Sequence, residues 1–178
     1  MNALDKTVFQ ETRQIHFNSI RHVLSMHAKT AGNTPYLVTI DAAGQRMEIS
    51  YSEFNARAHQ TANLLYDDAG VGRGDMVAVI IRGDAYSAML AYACWIIGAV
   101  VVPLDPDADL STHMQVISKS GATVIVGTAD DLNVITPKIA DLDALIALVQ
   151  VGGSDNPPIL HFDTLVKNLP TTFLGDGA

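Results

Sequence analysis

The sequence has one cysteine, Cys94, and no cluster of lysine and arginine anywhere along its 178 residues. A lone thiol cannot close an internal disulfide, so the chain reads as a cytoplasmic protein rather than a secreted disulfide scaffold. With 11 basic against 19 acidic residues the net charge is −8. That balance excludes nucleic acid and anionic membrane as the main partners, since both require basic patches. The first twenty residues carry Asp5, Lys6, Glu11 and Arg13 with no apolar core between them, which is not the pattern of a signal peptide. There is no internal repeat and no low-complexity tract. The six histidines, His16, His22, His27, His59, His113 and His161, lack the spacing of a metal site and are read as surface or helix-side residues. No metal site is expected.

The apolar fraction is 48% and the charged fraction 17%, a globular composition able to bury a core. Uncharged residues run from Ala85 to Leu104, about the length that spans a bilayer. The run is not uniform, however. Met89, Ala93, Ile96 and Ile97 share a helix face, Gly98 interrupts it, and three valines and Pro103 follow. The expectation is a core helix over 85–97, a turn at Gly98–Ala99 and a core strand over 100–104, with no transmembrane segment. Cys94 is a small core residue on that helix.

Periodicity places a helix over 17–30, strands over 36–40 and 46–50 forming a hairpin around "DAAGQ", and a helix opened by Ser50 and Glu53 at capping-box spacing. Phe54, Ala58, Thr61, Ala62 and Leu65 form its buried face. "GVGRGD" (70–75) is a loop and "MVAVII" (76–81) a buried strand. "RGD" (82–84) is the turn into the next helix, with Asp84 as its cap. Ser111 or Thr112 caps a helix to Lys119. A strand over 123–127, a helix-like stretch over 129–140, a strand over 144–152 and a short helix over 161–168 complete the chain. The alternation predicts an α/β fold: a mainly parallel sheet with helices on both faces, preceded by a β-hairpin.

Ligands in such folds bind beyond the carboxyl ends of the strands. The one glycine cluster precedes a strand, the wrong end for a phosphate cradle. No nucleophile–base set is suggested by spacing, and the D-P-D at 105–107 reads as a solvated turn. The only ligand-binding candidates are Arg82 and Asp84, in the loop 82–86 after a core strand. No catalytic residue is assigned.

Particular stretches carry more than their periodicity. "SYSEFNARAHQTANLL", "GVGRGDMVAVII", "WIIGAVVVPLD" and "SGATVIV" occur in the order and spacing of the N-terminal core motifs of adenylate-forming enzymes. The chain resembles the acyl-CoA synthetases, fatty acyl-AMP ligases and peptide-synthetase adenylation domains, and the first two most. The resemblance spans about residues 34–128 and implies a partial N-terminal subdomain of that fold. Residues 1–33 are then a helical lead-in, and 34–178 the start of an AMP-binding domain truncated before its phosphate loop. It implies a parent enzyme that uses ATP and Mg to activate a carboxylic acid, fatty acids first, and passes the acyl group to CoA or a carrier thiol. The family's Pro-Lys phosphate loop, Tyr-Gly-x-Thr-Glu segment, ribose-binding Asp and C-terminal Lys have no counterpart in this sequence. No cofactor is therefore expected on this chain, and its partner would be the remainder of the enzyme. Two other readings stay open: a stand-alone non-catalytic binding module of the same ancestry, and an unrelated flavodoxin-like nucleotide-binding domain.

Overall fold

A computed structural model describes residues 19–40, 44–153 and 159–175. The hairpin turn at 41–43, the start of the lead-in (1–18, with His16) and the last three residues lie outside the described residues. The elements run α1 (Ile20–Thr30), β1 (Pro35–Ile40), β2 (Arg46–Ser50), α2 (Tyr51–Asn63), β3 (Met76–Ile80), α3 (Ala85–Ile97), β4 (Val100–Leu104), α4 (Leu110–Ser120), β5 (Val124–Gly127), α5 (Ala129–Ile135), β6 (Ala147–Gln150), β7 (Leu160–His161) and α6 (Phe162–Leu165). β1 and β2 form an antiparallel hairpin. The other five strands form one sheet in the order β4-β3-β5-β6-β7, and every pairing in it is parallel.

Strand side chains alternate between faces, and a parallel sheet covered by helices buries both. Val77 and Val79 of β3, Val124 and Val126 of β5 and Val149 of β6 face the core shared with α1, α2 and α3. Ala78, Ile80, Leu104 and Ile125 face a second core closed by Ile117 of α4 and Leu132 and Ile135 of α5. Helices thus cover both faces, as the alternation predicts. Pro103, which has no N–H to give a ladder, sits on the edge strand β4 opposite Val79.

The uncharged run at 85–104 resolves into α3 and β4. Asp84 caps α3 by accepting from the Ser87 amide at 2.8 Å. Gly98 ends it at φ 87°, a left-handed conformation that glycine adopts without a Cβ penalty. A Cβ there would also press to 3.2 Å from the Arg73 Cγ. Among the described residues no helix is long and apolar enough to cross a membrane. Cys94 is fully buried, and burial pushes its thiol up to about 12.

Several local expectations are corrected. Only half of the capping box at α2 forms. Ser50 accepts from the Glu53 amide at 3.3 Å, but the Glu53 carboxylate turns to Arg57 one turn on. The end of α2 widens into a π-helical turn over Leu64–Asp68, where both leucines are fully buried. α4 is capped by Asp109, which accepts from the Thr112 amide at 2.7 Å, rather than by Ser111 or Thr112. Those bonds hold Asp109 below the usual carboxylate range. α5 stops at Ile135 and continues as a 3-10 turn over Thr136–Asp141, because Pro137 lacks the N–H that an α-helix would use there. β6 is shorter than 144–152, since Leu145 closes a turn onto the Leu142 carbonyl at 3.1 Å. His161 joins β7 rather than a helix. His113 and His161 are buried rather than on the surface. The His113 Nε2 stands 2.7 Å from the Asp105 carbonyl.

Phe54 is fully buried and meets the edges of Tyr36 and Tyr92 at centroid distances of 4.7 and 5.1 Å. Replacing it with alanine empties the junction of hairpin, α2 and α3, and Phe54→Ala is expected to cost about 3–5 kcal/mol, measured by urea unfolding. Cys94 is expected to stay unreactive toward a thiol reagent in native buffer and to react once denaturant unfolds the chain.

Candidate functional site

The sheet order creates one switch point. β3 feeds α3 toward β4, and the chain then returns across β3 through α4 to reach β5. The carboxyl ends of β3 and β5 therefore send their helices to opposite faces, and the crevice between them is where such folds bind ligands.

In this chain the crevice is filled by its own side chains. Arg82, just after β3, reaches Asp131 on α5 with a forked pair of hydrogen bonds, 2.8 Å from Nη1 and 2.6 Å from Nη2. The Asp131 carboxylate also accepts from the amide and hydroxyl of Thr128 at 2.8 and 2.7 Å. Burial alone would raise the Asp131 pKa. The Arg82 and Thr128 hydrogen bonds outweigh that and hold it below the usual carboxylate range. Gly127 makes room for the pair, since a Cβ there would lie 3.0 Å from the Asp131 Cβ and 3.2 Å from Ile80. Asp84 is not in this cluster. Its Oδ1 accepts from the amide and hydroxyl of Ser87, both at 2.8 Å, so it works as a cap. The structure thus places Arg82 across the crevice and Asp84 on its own helix, and does not bring the two candidates together.

A cleft of about 510 Å³ opens beside them, still at the carboxyl end of the sheet, between β2, α2, the start of α3 and α6. Ile49, Met89, Phe162 and Val166 give it apolar walls, and Arg57, Glu53 and Lys167 stand at its rim. Tyr86 also lines it and donates to Asp163 at 2.7 Å. The other Asp163 oxygen accepts from the Gly152 amide at 2.8 Å. The Gly152 carbonyl in turn accepts from Gln150 at 3.0 Å and from the His161 Nε2 at 3.2 Å. The His161 Nδ1 stands 3.0 Å from the Thr164 hydroxyl. Burial, then the Asp163 bond and charge, push the Tyr86 phenol up to about 12. Tyr86 is consequently a hydrogen-bond donor and not a base.

Sequence reasoning named the loop 82–86, whose Ala85 and Tyr86 line this cleft, but missed Asp163, Gln150 and His161. Tyr86 and Asp163 are 77 positions apart, and only the β3-β5-β6-β7 order brings them together. The usable signal was "HFD", polar residues at the end of an apolar strand-like run. Chemically the arrangement is a shaped, hydrogen-bonded wall. Among the described residues no three His, Cys, Asp or Glu side chains stand together to hold a metal.

Removing Arg82 leaves a partly buried carboxylate with fewer donors. Arg82→Met is expected to destabilise the fold by about 1–3 kcal/mol and to raise the Asp131 pKa. A carboxylate whose folded pKa is depressed stabilises the native state above its unfolded value and loses that contribution as pH falls through the folded one. The variant's acid unfolding should therefore begin at higher pH than the wild type's, read by circular dichroism, with Asp131 followed by carboxyl NMR.

The known proteins that resemble this chain bear on the same region. A family model described as "AMP-binding enzyme" matches residues 24–171. An N-benzoylphenylalaninol synthetase from Penicillium brevicompactum is 24% identical over 127 residues, 71% of this chain and 5% of that protein. A crotonobetaine/carnitine–CoA ligase from Citrobacter koseri is 24% identical over 161 residues, 86% of this chain and 30% of that one. The crystal structure of an anthranilate CoA ligase in complex with anthranoyl-AMP superposes with a TM-score of 0.78 at 20% identity, covering 88% of this chain and 29% of that one. The chain therefore spans under a third of each of these relatives. With a family match running from the middle of α1 to the segment after α6, and with a fold shared with an acid–CoA ligase, the chain belongs to the AMP-binding, adenylate-forming enzyme family.

Proposed function

We propose that this chain is the N-terminal portion of an acyl-activating ligase. The whole enzyme joins a carboxylic acid, of the fatty class first, to the AMP moiety of ATP with release of pyrophosphate. It then hands the acyl group to the thiol of CoA or of a carrier arm, in the cytoplasm. The observation that carries this reading is the family match over residues 24–171. The superposition on a CoA ligase that holds an acyl-adenylate supports it.

ATP and Mg are the cofactors this reading requires, and the described residues do not fit them. A triphosphate needs glycine amides and a free cation at the carboxyl end of a strand. At the switch point the cation Arg82 is spent on Asp131, and Asp84 is spent on its own helix. Phosphate and metal binding are assigned to the remainder of the enzyme, and this chain supplies the sheet and the Tyr86–Asp163 wall of the cleft.

One observation favours the second reading, a stand-alone binding module of the same ancestry: both faces of the sheet are closed by helices within the chain. Pyrophosphate exchange into ATP, run with a panel of fatty and aromatic acids, separates the two. The 178-residue chain alone is expected to give no exchange, and the longest product of its gene to give exchange with at least one acid. Exchange by the chain alone overturns the assignment of phosphate chemistry to the remainder. No exchange by the longest product with any acid overturns the ligase reading in favour of the module.

A further inference from the structure

Beyond α6 the chain makes a 3-10 turn at Val166–Asn168 and then runs back along α2, where Leu169 and Phe173 pack against the first core. Residues 169–174 are held there through their main chain. Gln60 donates to the Leu169 carbonyl at 3.0 Å. Asn63 donates to the carbonyls of Pro170 and Thr172, both at 2.9 Å, and accepts from the Leu174 amide at 3.1 Å. The Phe173 amide donates to the His59 Nδ1 at 3.1 Å. His59, Asn63 and Tyr66 lie at helical spacing along one stripe of α2 and its continuation. Tyr66 takes the Phe173 ring edge-on at 5.5 Å and 89°. Asn63 and Phe173 are both buried.

These contacts fix the protonation of one residue. A ring nitrogen that accepts from an amide carries no proton, so the docked strap needs neutral His59 with its hydrogen on Nε2. A protonated ring sets N–H against N–H. The other contacts come from amide side chains and an aromatic ring, which do not titrate in this range. We propose that residues 169–174 form a strap latched to α2 by neutral His59 and released by acid.

The surroundings favour the latched state at neutral pH. Half-burial of the ring, and after it the Arg21 guanidinium on α1, push His59 below its ordinary value of 6.5. Among the described residues Arg21 is the charged group that bears on it; the strap presents main chain, Phe173 and Leu174. The sign follows from linkage: the undocked ring binds a proton more readily than the docked one. Docking is therefore strongest above the pKa of the undocked ring and weakens as pH falls from there toward that of the docked ring, by at most about tenfold per pH unit.

Hydrogen–deuterium exchange on the 178-residue chain, with protection corrected for the intrinsic rate at each pH, tests this without reference to ligase activity. In the wild type, protection of Phe173 and Leu174 is expected to fall on acidification while that of Val126 in β5 holds. In His59→Gln, which keeps an acceptor but cannot titrate, the strap's protection is expected to be flat over the same range. Wild-type protection that does not change, or that falls equally in His59→Gln, overturns the latch. Parallel loss at Val126 overturns it as well, because the event is then global unfolding.

Discussion

β3 pairs on one edge with β4 and on the other with β5, so its residues have neither a free edge nor a solvent face. Each of its backbone groups must enter a parallel ladder, and each side chain must be apolar and small enough for a helix layer above or below. The "MVAVI" sequence meets that demand, with alternating residues supplying the two cores. The crossovers on either side of β3 also fix the switch point, and through it the position of Arg82, Asp131 and the neighbouring cleft.

Where burial dictates the residues, the sequence was legible. The apolar run 85–104 divides at Gly98 because only a helix stop followed by β-branched residues fits a helix–turn–strand unit. The hairpin, α2, α3 and the strands β3 to β5 appear within a residue or two of their expected positions. Legibility failed where competing local bonds decide. Asp109 outbids Ser111 and Thr112 because it stands immediately before the helix and its carboxylate reaches the Thr112 amide. Glu53 prefers Arg57 to the cap. β7 is two residues long, too short for any alternation to register. The buried histidines look like surface residues in sequence because their partners, main-chain carbonyls, have no residue signature.

The site shows the same division. Arg82 and Asp84 were visible because a charged turn after an apolar strand stands out. Their employment by Asp131 and Ser87 was not, since it depends on which strand lies next to β3. The resemblance of "WIIGAVVVPLD" and its companions to the adenylate-forming family agrees with the match over residues 24–171. It transfers a scaffold, and the chemistry of this chain's own residues is consistent with that. Arg82, the cation that would meet a phosphate, is already hydrogen-bonded to Asp131, and the open cleft is walled by a phenol held neutral and a carboxylate that accepts at both oxygens.

The central proposal is that the carboxyl end of β3, crossed by the Arg82–Asp131 pair, does not take a nucleotide. Titrating Mg-ATP into the isotopically labelled 178-residue chain, with the amides of Arg82, Thr128 and Asp131 observed by NMR, tests it most directly. The account predicts no saturable shift at those amides up to millimolar nucleotide. A saturable shift centred on them, lost in Arg82→Met, would contradict it.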